Sequence, residues 1–212
     1  MSNTDVFIKI EGKGKLPPYA SEEAAGCDLF AAEDMIIRPG ETRVIPTGIT
    51  IALPEGAEAQ IRPRSGLSLR TALRVPNSPG TIDSDYRNQV GVLIENTFNP
   101  ALIPVLAATD PDVIKTLEKY YRAVTLENYL QELKPMDKLV QSADDSAWQS
   151  FFNNVLFLDE NNNPYGTVYI KEGDRIAQMV ITRHLHANFV QHADVESIGN
   201  DRGGGFGSTG VR

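Results

Sequence analysis

Five short polar segments of this chain carry side chains that are suited to phosphate chemistry. They are, in order, "AGCDL", "PRSGLS", "NSPGTIDSDYR", "GDRIAQ" and "RGGGFGSTG". In the second segment Arg64, Ser65 and Gly66 place a guanidinium, a hydroxyl and a flexible backbone in succession, which suits a phosphate oxygen. A helix opening at "SGLSLR" would add free backbone N–H groups to that site. Each segment alone also fits an ordinary loop or turn, so the prediction of chemistry rests on all five together.

Two of these segments supply carboxylates. Asp83 and Tyr86 stand three residues apart around a predicted hairpin. There a carboxylate can accept a proton from water, and a phenol ring can form a flat wall for a sugar or a base. Asp28 is a second carboxylate, suited to Mg²⁺, which takes few protein ligands and keeps several of its waters.

The end of the chain, "GNDRGGGFGSTGVR", contains almost nothing that packs into a core. Its phosphate donors and its one stacking surface are Arg202, Ser208, Thr209 and Phe206. Carboxylates for metal and water, donors for phosphates and aromatic rings for a base together imply a nucleoside triphosphate as the ligand.

The segments lie in a chain with two textures. Residues 1–97 and 165–190 consist of short runs rich in Val, Ile and Thr, separated by clusters of Gly, Pro, Asn and Asp. Many short strands with regular turn signals predict a mainly β protein, a sandwich or barrel, rather than an alternating α/β sheet.

Residues 101–164 predict a small, mostly helical subdomain inserted into this β protein. "TDPDVIKTLEKYYRAVTLENYLQEL" offers Thr109 or Asp110 as a cap and Pro111 in the first turn, and its apolar spacing predicts a helix over its first half. "ADDSAWQSFFNNVLFLD" predicts a second helix. The large apolar side chains of that second helix are Trp148, Phe151, Phe152 and Leu156.

Composition excludes several classes of function. The net charge of −8 argues against a protein that coats nucleic acid, whose phosphates require a basic footprint. No apolar run reaches the roughly 18 residues of a membrane span, so we expect no membrane partner. A lone cysteine, Cys27, excludes an internal disulfide and is expected to be a small buried hydrophobe. With no secretory signal at the start of the sequence, these features predict a cytoplasmic protein.

In this order the five segments closely resemble the five motifs of the homotrimeric dUTP pyrophosphatases (dUTPases), over nearly the whole β portion. The resemblance implies a jelly-roll-like β-sandwich that trimerises, so that each active site draws on three chains. It implies hydrolysis of dUTP to dUMP and pyrophosphate with Mg²⁺. The β core would then comprise residues 1–100 and 165–200, and residues 201–212 would form a mobile arm that closes over the nucleotide.

The resemblance also assigns roles to residues. Asp83 would orient and deprotonate the water that attacks the α-phosphorus, Tyr86 would lie against the deoxyribose, and Asp28 would hold the metal through its water shell. Uracil would be bound by Asn77, by the backbone around Gly80 and Ile82, and by stacking on Phe206. The phosphate chain would be held by Arg64, Ser65, Gly66 and Gln178, with Arg202, Ser208 and Thr209 on the γ-phosphate. Arg175 would form a structural or interface ion pair.

The chain departs from the family pattern at three places. Three residues rather than four separate Arg202 from Phe206, and Asn88-Gln89 replaces a common Gly-Glu pair. The segment 101–164 has no counterpart in most members and resembles an insertion in certain bacteriophage dUTPases. In that group the insertion is linked to contacts with a repressor, so we expect either a repressor site there and at the active site or a tolerated surface elaboration.

Two other functions remain open. A dCTP deaminase shares this fold and its style of nucleotide binding, but it attacks the base. A regulatory protein that keeps a vestigial nucleotide pocket is the second alternative. The segment from Asp83 to Tyr86 favours uracil and water activation over both.

Overall fold

The computed structural model describes residues 4–132 and 153–200. Its strands are β1 (Phe7–Ile10), β2 (Cys27–Phe30), β3 (Met35–Ile37), β4 (Thr42–Pro46), β5 (Ile49–Ala52), β6 (Ala57–Arg62), β7 (Leu73–Arg74), β8 (Gly80–Ile82), β9 (Gly91–Asn96), β10 (Arg122–Thr125), β11 (Val155–Leu158), β12 (Val168–Ile170) and β13 (Arg175–Arg183). Its helices are α1 (Ser65–Arg70), α2 (Ile103–Thr109), α3 (Pro111–Tyr120) and α4 (Leu126–Glu132), with 3₁₀ turns at Pro100–Leu102 and Val195–Ser197. The fold is mainly β, as the sequence predicts.

Two antiparallel sheets build the core. One has the order β2-β13-β6-β8 and the other the order β4-β9-β7, while β1 pairs with β5 and β3 with β12. Leu29 and Ile61 of the first sheet belong to the same buried hydrophobic cluster as Val92 and Ile94 of the second. The two sheets therefore share one apolar core, and their polar faces are left for chemistry or for partners.

The alternation along β6 shows why the first sheet has one apolar and one polar face. Ala57, Ala59 and Ile61 are buried, and the residues between them are not. Successive side chains of a strand point to opposite faces, so Gln60 and Arg62 lie on the polar face. Across the sheet, Gln178 of β13 is paired with Arg62 on one side and with Asp28 of β2 on the other. Polar residues from three strands thus form one row.

The first predicted helix of the insertion is confirmed. It is α3, whose N-cap residue Asp110 accepts a hydrogen bond at 3.0 Å from the backbone N–H of Asp112 and whose first residue is Pro111. A capping carboxylate and a proline at the first position are both favoured at the start of a helix.

The second predicted helix is wrong at its C-terminal end. Leu156 lies in strand β11 and is paired with Val124 of β10. A short apolar run such as "VLFL" fits a strand as well as a helix, and an available antiparallel partner decides between them. Trp148, Phe151 and Phe152 lie outside the described residues.

A cluster of aromatic rings links the end of α3 to the segments beside β9 and β12. The Tyr165 ring lies edge-on to Phe98 at 5.6 Å and to Tyr121 at 5.1 Å between centroids. Gly166 has a φ of +91°, and a Cβ there would lie 2.2 Å from a ring carbon of Phe98. Only glycine adopts this backbone easily and leaves room for the phenyl ring.

A hydrogen-bond network at the same place reaches strand β12. The Tyr169 hydroxyl donates to the Asp159 carboxylate and accepts a bond of 2.8 Å from the Asn163 amide. The other carboxylate oxygen of Asp159 accepts backbone N–H groups of Asn161 and Asn163, both at 2.9 Å. Burial, and then the neighbouring carboxylate, raise the pKa of Tyr169.

Across residues 4–132 and 153–200, we find no helix whose length and apolar character would let it cross a bilayer.

Candidate active site

The Asp28 carboxylate joins the first, second and fourth polar segments. Asp28 lies on β2, and its side chain is only 14% exposed. One of its oxygens is 2.8 Å from Nε of Arg64, and the other is 3.4 Å from a guanidinium nitrogen of Arg175. Arg175 therefore forms the structural ion pair expected of it. The carboxylate predicted to serve a metal also orients two arginines.

Helix α1 begins where the sequence predicts a helical segment. Its N-cap residue is Arg64, whose carbonyl accepts the backbone N–H groups of Leu67 at 3.1 Å and Ser68 at 3.0 Å. The first N–H groups of a helix have no intrahelical acceptor, so those of Ser65 and Gly66 are available to an anion. The exposed Ser65 hydroxyl adds a further donor beside them.

Gln178 holds the strand-to-helix loop in place. Its amide nitrogen donates a hydrogen bond of 2.9 Å to the carbonyl of Pro63, directly before Arg64. Because β2 and β6 flank β13 in the sheet, this bond brings the fourth segment against the second. Gln178, predicted as a phosphate ligand, thus has an observed role in positioning Arg64.

Two clefts open beside this loop. A cleft of about 320 Å³ is lined by Arg64, Arg70 and Arg175 together with Gly66, Tyr169 and Asp174. A second cleft of about 430 Å³ is lined by Gln60, Arg62, Pro63, Ser78, Pro79 and Gln178. We call the first of these the arginine cleft. Its three guanidinium groups make it suited to an anion.

The third polar segment ends strand β8 in a turn. The backbone N–H of Tyr86 donates to the carbonyl of Asp83 at 3.1 Å. A guanidinium nitrogen of Arg87 bonds the carbonyls of Ser84 at 2.6 Å and Tyr86 at 2.9 Å. The Tyr86 hydroxyl donates to the Gln89 carbonyl at 3.0 Å, which orients the ring. The Asp83 carboxylate is exposed at the start of this turn.

The predicted hairpin around this segment is wrong in its strand pairing. β8 pairs with β6, whereas the following strand β9 lies in the other sheet between β4 and β7. In this pairing the buried Gly80 is the register partner of Ile61. A Cβ at Gly80 would lie 3.0 Å from the side-chain amide nitrogen of Asn77. Turn signals in a sequence indicate a reversal but do not say which strand becomes the partner.

In the described part of the chain, the predicted site residues do not all line the same cleft. Asp83, Tyr86 and Asn77 line neither of the two clefts beside Arg64. Ile82 lies on the edge strand β8, where it is half-buried and is paired with Ala59 of β6. The predicted residues Arg202, Phe206, Ser208 and Thr209 lie outside the described residues. We call the arginine cleft and the turn that exposes Asp83 the two half-sites. Ser78 and Pro79, which precede this turn in the same segment, line the second cleft together with Pro63 and Gln178.

Cys27 is a buried structural residue, as the sequence predicts. It is 4% exposed, and its thiol donates to the carbonyl of Met179 at 3.4 Å. Burial raises the pKa of the Cys27 thiol, so the nucleophilic thiolate is disfavoured.

Sequence reasoning missed several residues of the arginine cleft, among them Arg70 and Tyr169. Arg70 stands four residues after Gly66, and this spacing places both on one face of α1. That helical spacing is the signal that could have found Arg70. Tyr169 reaches the cleft from β12, a hundred residues further along the chain, so no local pattern could have placed it there.

A family model described as dUTPase matches residues 12–103 and 153–210. Among curated proteins, the deoxyuridine 5'-triphosphate nucleotidohydrolase of Clostridium tetani is 56% identical over 96 residues, covering 44% of this chain and 66% of that protein. The protein of the same name from Rickettsia felis is 53% identical over 100 residues, covering 45% and 68%. The chain thus aligns with about two thirds of the length of these relatives.

Solved structures show the same fold. A dUTPase from phage phi11 of S. aureus, described with its species-specific insert, has a TM-score of 0.61 at 22% identity over 92% of this chain and 99% of its own. The dUTPase of Staphylococcus bacteriophage 80alpha with dUPNHPP has a TM-score of 0.66 at 23% identity over 99% and 100%. Because the family model matches well over half of its residues, this chain belongs to the dUTPase family.

Proposed function

We propose that this chain hydrolyses dUTP to dUMP and pyrophosphate by attack of water on the α-phosphorus. This reaction would limit the entry of uracil into DNA and would supply dUMP. The observation that carries the proposal is the convergence of three family motifs on Asp28, through its contacts with Arg64 and Arg175. The relatives from Clostridium and Rickettsia bear the name of this activity.

The residues divide the work of the reaction between the two half-sites. Asp83 accepts the proton of the attacking water, and the oriented Tyr86 ring leaves no room for a ribose 2′-hydroxyl. Asn77 with the backbone around Gly80 and Ile82 binds uracil. Arg64, Ser65 and Gly66 bind the phosphate chain, where charge neutralisation and positioning supply most of the rate.

The residues around Asp28 fit Mg²⁺ held through water. Among the residues that the structure describes, no group of three or more His, Cys, Asp or Glu side chains forms a metal cage. Mg²⁺ bound with substrate phosphates needs few carboxylates, so the single Asp28 is sufficient. The ion would neutralise phosphate charge while Arg64 and Arg175 keep the carboxylate in place. A phi11 dUTPase mutant structure is described as coordinating a structural Mg(II) ion.

The assembly that unites the two half-sites is a homotrimer. In support, the segment after β13 exposes Leu185 at 98%, Phe189 at 94% and Val190 at 78%. Three exposed large apolar side chains within six residues favour an interaction surface, and a second copy of the chain is the partner that completes the site.

The arm of residues 201–212 closes over the bound nucleotide. Arg202, Ser208 and Thr209 bind the γ-phosphate, and Phe206 stacks on uracil. Closure excludes bulk water and strengthens the electrostatics of the site. Deleting residues 201–212 is expected to lower kcat sharply while sedimentation still shows the trimer. Unchanged turnover by the truncated protein would refute this role.

Residues 101–164 form an insertion into the β core of residues 1–100 and 165–200. The family match, which skips residues 104–152, supports this division. We assign to the insertion and the active-site region a second role, the binding of a repressor protein. In support, helices α2 and α3 expose Val105 at 57% and Ile114 at 44%.

The repressor role is tested by Val105→Asp with Ile114→Asp in one protein. It should hydrolyse dUTP normally and lose binding to a repressor that the parent protein binds. If the variant still binds the repressor, the insertion is a surface elaboration without this role. If the gene belongs to a phage, the protein would act in the host cytoplasm, and it would bind neither membranes nor nucleic acid directly.

Product analysis tests the main proposal. Purified protein with Mg²⁺ is incubated separately with dUTP and with dCTP, and the release of pyrophosphate and of ammonia is measured. We expect pyrophosphate from dUTP and no ammonia from either. Ammonia from dCTP would identify a deaminase, and nucleotide binding without any product would identify a regulatory protein.

A further inference from the structure

Arg70 is the last residue of α1, and its side chain folds back along that helix. Its guanidinium nitrogens lie 3.1 and 3.8 Å, and its central carbon 3.6 Å, from the position that a Cβ would take on Gly66. Gly66 thus provides space for this guanidinium, because any larger side chain would press against it. The positive group thus lies beside Gly66 of the segment Arg64-Ser65-Gly66, on an exposed residue.

Arg70 differs in its partners from the other two arginines of the cleft. Arg64 and Arg175 both contact the Asp28 carboxylate, at 2.8 and 3.4 Å. The Arg70 side chain makes no hydrogen bond or ion pair with any residue in the described part of the chain. Asp174 also lines the cleft, but its carboxylate accepts the backbone N–H of Lys171 at 2.8 Å.

These contacts leave the cleft with more positive than negative charge. One carboxylate, Asp28, is shared by two guanidinium groups, and the guanidinium of Arg70 has no acceptor among residues 4–132 and 153–200. Three like charges around about 320 Å³ repel one another unless an anion enters. A guanidinium binds phosphate oxygens bidentately, so a phosphate group is the anion whose shape fits.

We propose that Arg70 binds the terminal phosphates of dUTP and the pyrophosphate that leaves, which rests on the function proposed above. The base and sugar are assigned to Asn77 and Tyr86, and neither residue lines the arginine cleft. Because the cleft is lined by Arg64, Arg70 and Arg175, and the base and sugar are assigned elsewhere, we assign the phosphate end of the nucleotide to it. Arg70 contacts the substrate directly and is a binding residue additional to the family motif that begins at Arg64.

The variant Arg70→Gln tests this role, because glutamine keeps hydrogen-bonding capacity and loses the charge. Dissociation constants are measured by calorimetry for a non-hydrolysable dUTP analogue, for pyrophosphate and for dUMP. Loss of one charge-assisted contact should raise the dissociation constants of the analogue and of pyrophosphate by about tenfold and leave that of dUMP unchanged. The dissociation constants of Arg70→Lys should lie between those of the parent protein and of Arg70→Gln, because lysine keeps the charge but lacks the planar guanidinium.

Arg43→Gln is the matched control for charge. Arg43 lies on strand β4 in the other sheet, and its guanidinium forms an ion pair with Glu41 at 3.3 Å. This variant should bind all three ligands as the parent protein does.

Three outcomes would overturn the assignment. The first is that Arg70→Gln binds both the analogue and pyrophosphate with parental affinity. The second is that Arg70→Gln loses equal affinity for dUMP and for the analogue. The third is that Arg43→Gln loses as much affinity as Arg70→Gln. The parent protein is assayed for dUTP hydrolysis in parallel. Hydrolysis by the parent with parental affinities in Arg70→Gln refutes only the role of Arg70, whereas a parent that does not hydrolyse dUTP refutes the proposed function.

Discussion

At the scale of single residues, Asp83 is held by the backbone and not by its own side chain. The turn from Asp83 to Tyr86 is closed by a backbone hydrogen bond and by two contacts from Arg87. The carboxylate itself is exposed and free to orient water. A substitution at this side chain should therefore change the chemistry without changing the turn.

Asp83→Asn is expected to lower kcat by roughly two or more powers of ten, which is the usual scale for loss of a general base. Binding of a non-hydrolysable dUTP analogue should remain close to that of the parent. Pyrophosphate release measures the first quantity, and calorimetry measures the second.

Asp85→Asn is the control, since Asp85 is an exposed carboxylate two residues away in the same turn. It should keep most of the activity. If Asp85→Asn were the slower enzyme, or if Asp83→Asn kept near-normal turnover, the base would lie elsewhere.

At the scale of elements, polar and aromatic contacts together anchor the proposed insertion to β12 and to the residues around Tyr165. Tyr169 of β12 bonds Asp159 and Asn163, while the Tyr165 ring packs against Phe98 and Tyr121. Tyr169 also lines the arginine cleft, so the anchor of the insertion and one wall of the cleft are the same side chain.

This anchor predicts a loss of stability in alkali. The pKa of Tyr169 is raised by burial and by the Asp159 carboxylate, so the folded protein favours the protonated phenol. The contribution to stability is complete below the unfolded pKa of about 10 and disappears as the pH rises through the higher folded value. Urea unfolding at a series of pH values should show a shallower alkaline decline for Tyr169→Phe than for the parent.

Tyr120→Phe is the control for this measurement, because Tyr120 is 59% exposed on α3. Its alkaline decline should follow that of the parent. Identical declines in Tyr169→Phe and the parent would show that the hydroxyl does not stabilise the anchor.

At the scale of the whole molecule, the proposed homotrimer would join half-sites that belong to different chains. Phe189→Asp places a charge in the exposed segment after β13, where burial against a partner would be costly. It should dissociate the assembly at micromolar concentration and abolish turnover, because Asp83 of one chain would no longer meet Arg64 of another. Sedimentation velocity and pyrophosphate release measure the two effects.

Val155→Asp is the control, since Val155 is a 51% exposed apolar residue of the insertion strand β11. It should remain assembled and active. A fully active, fully assembled Phe189→Asp protein would remove the segment after β13 from the interface.

Local chemistry was enough for the sequence to determine much of this protein. Short runs rich in Val, Ile and Thr between turn residues predicted β1, β6 and β9, and a capping carboxylate with a proline predicted α3. The types and order of five polar segments predicted a nucleotide site in a member of the dUTPase family. Each of these signals depends on residues within about a dozen positions, where sequence and conformation are directly linked.

Only the tertiary structure decided which distant groups meet. It paired β8 with β6 and gave Leu156 a strand partner in place of a helix. It also placed Arg175 on Asp28 and brought Tyr169 to the arginine cleft. These contacts join positions far apart in the chain, and their formation depends on strand pairing and core packing, which no local pattern specifies.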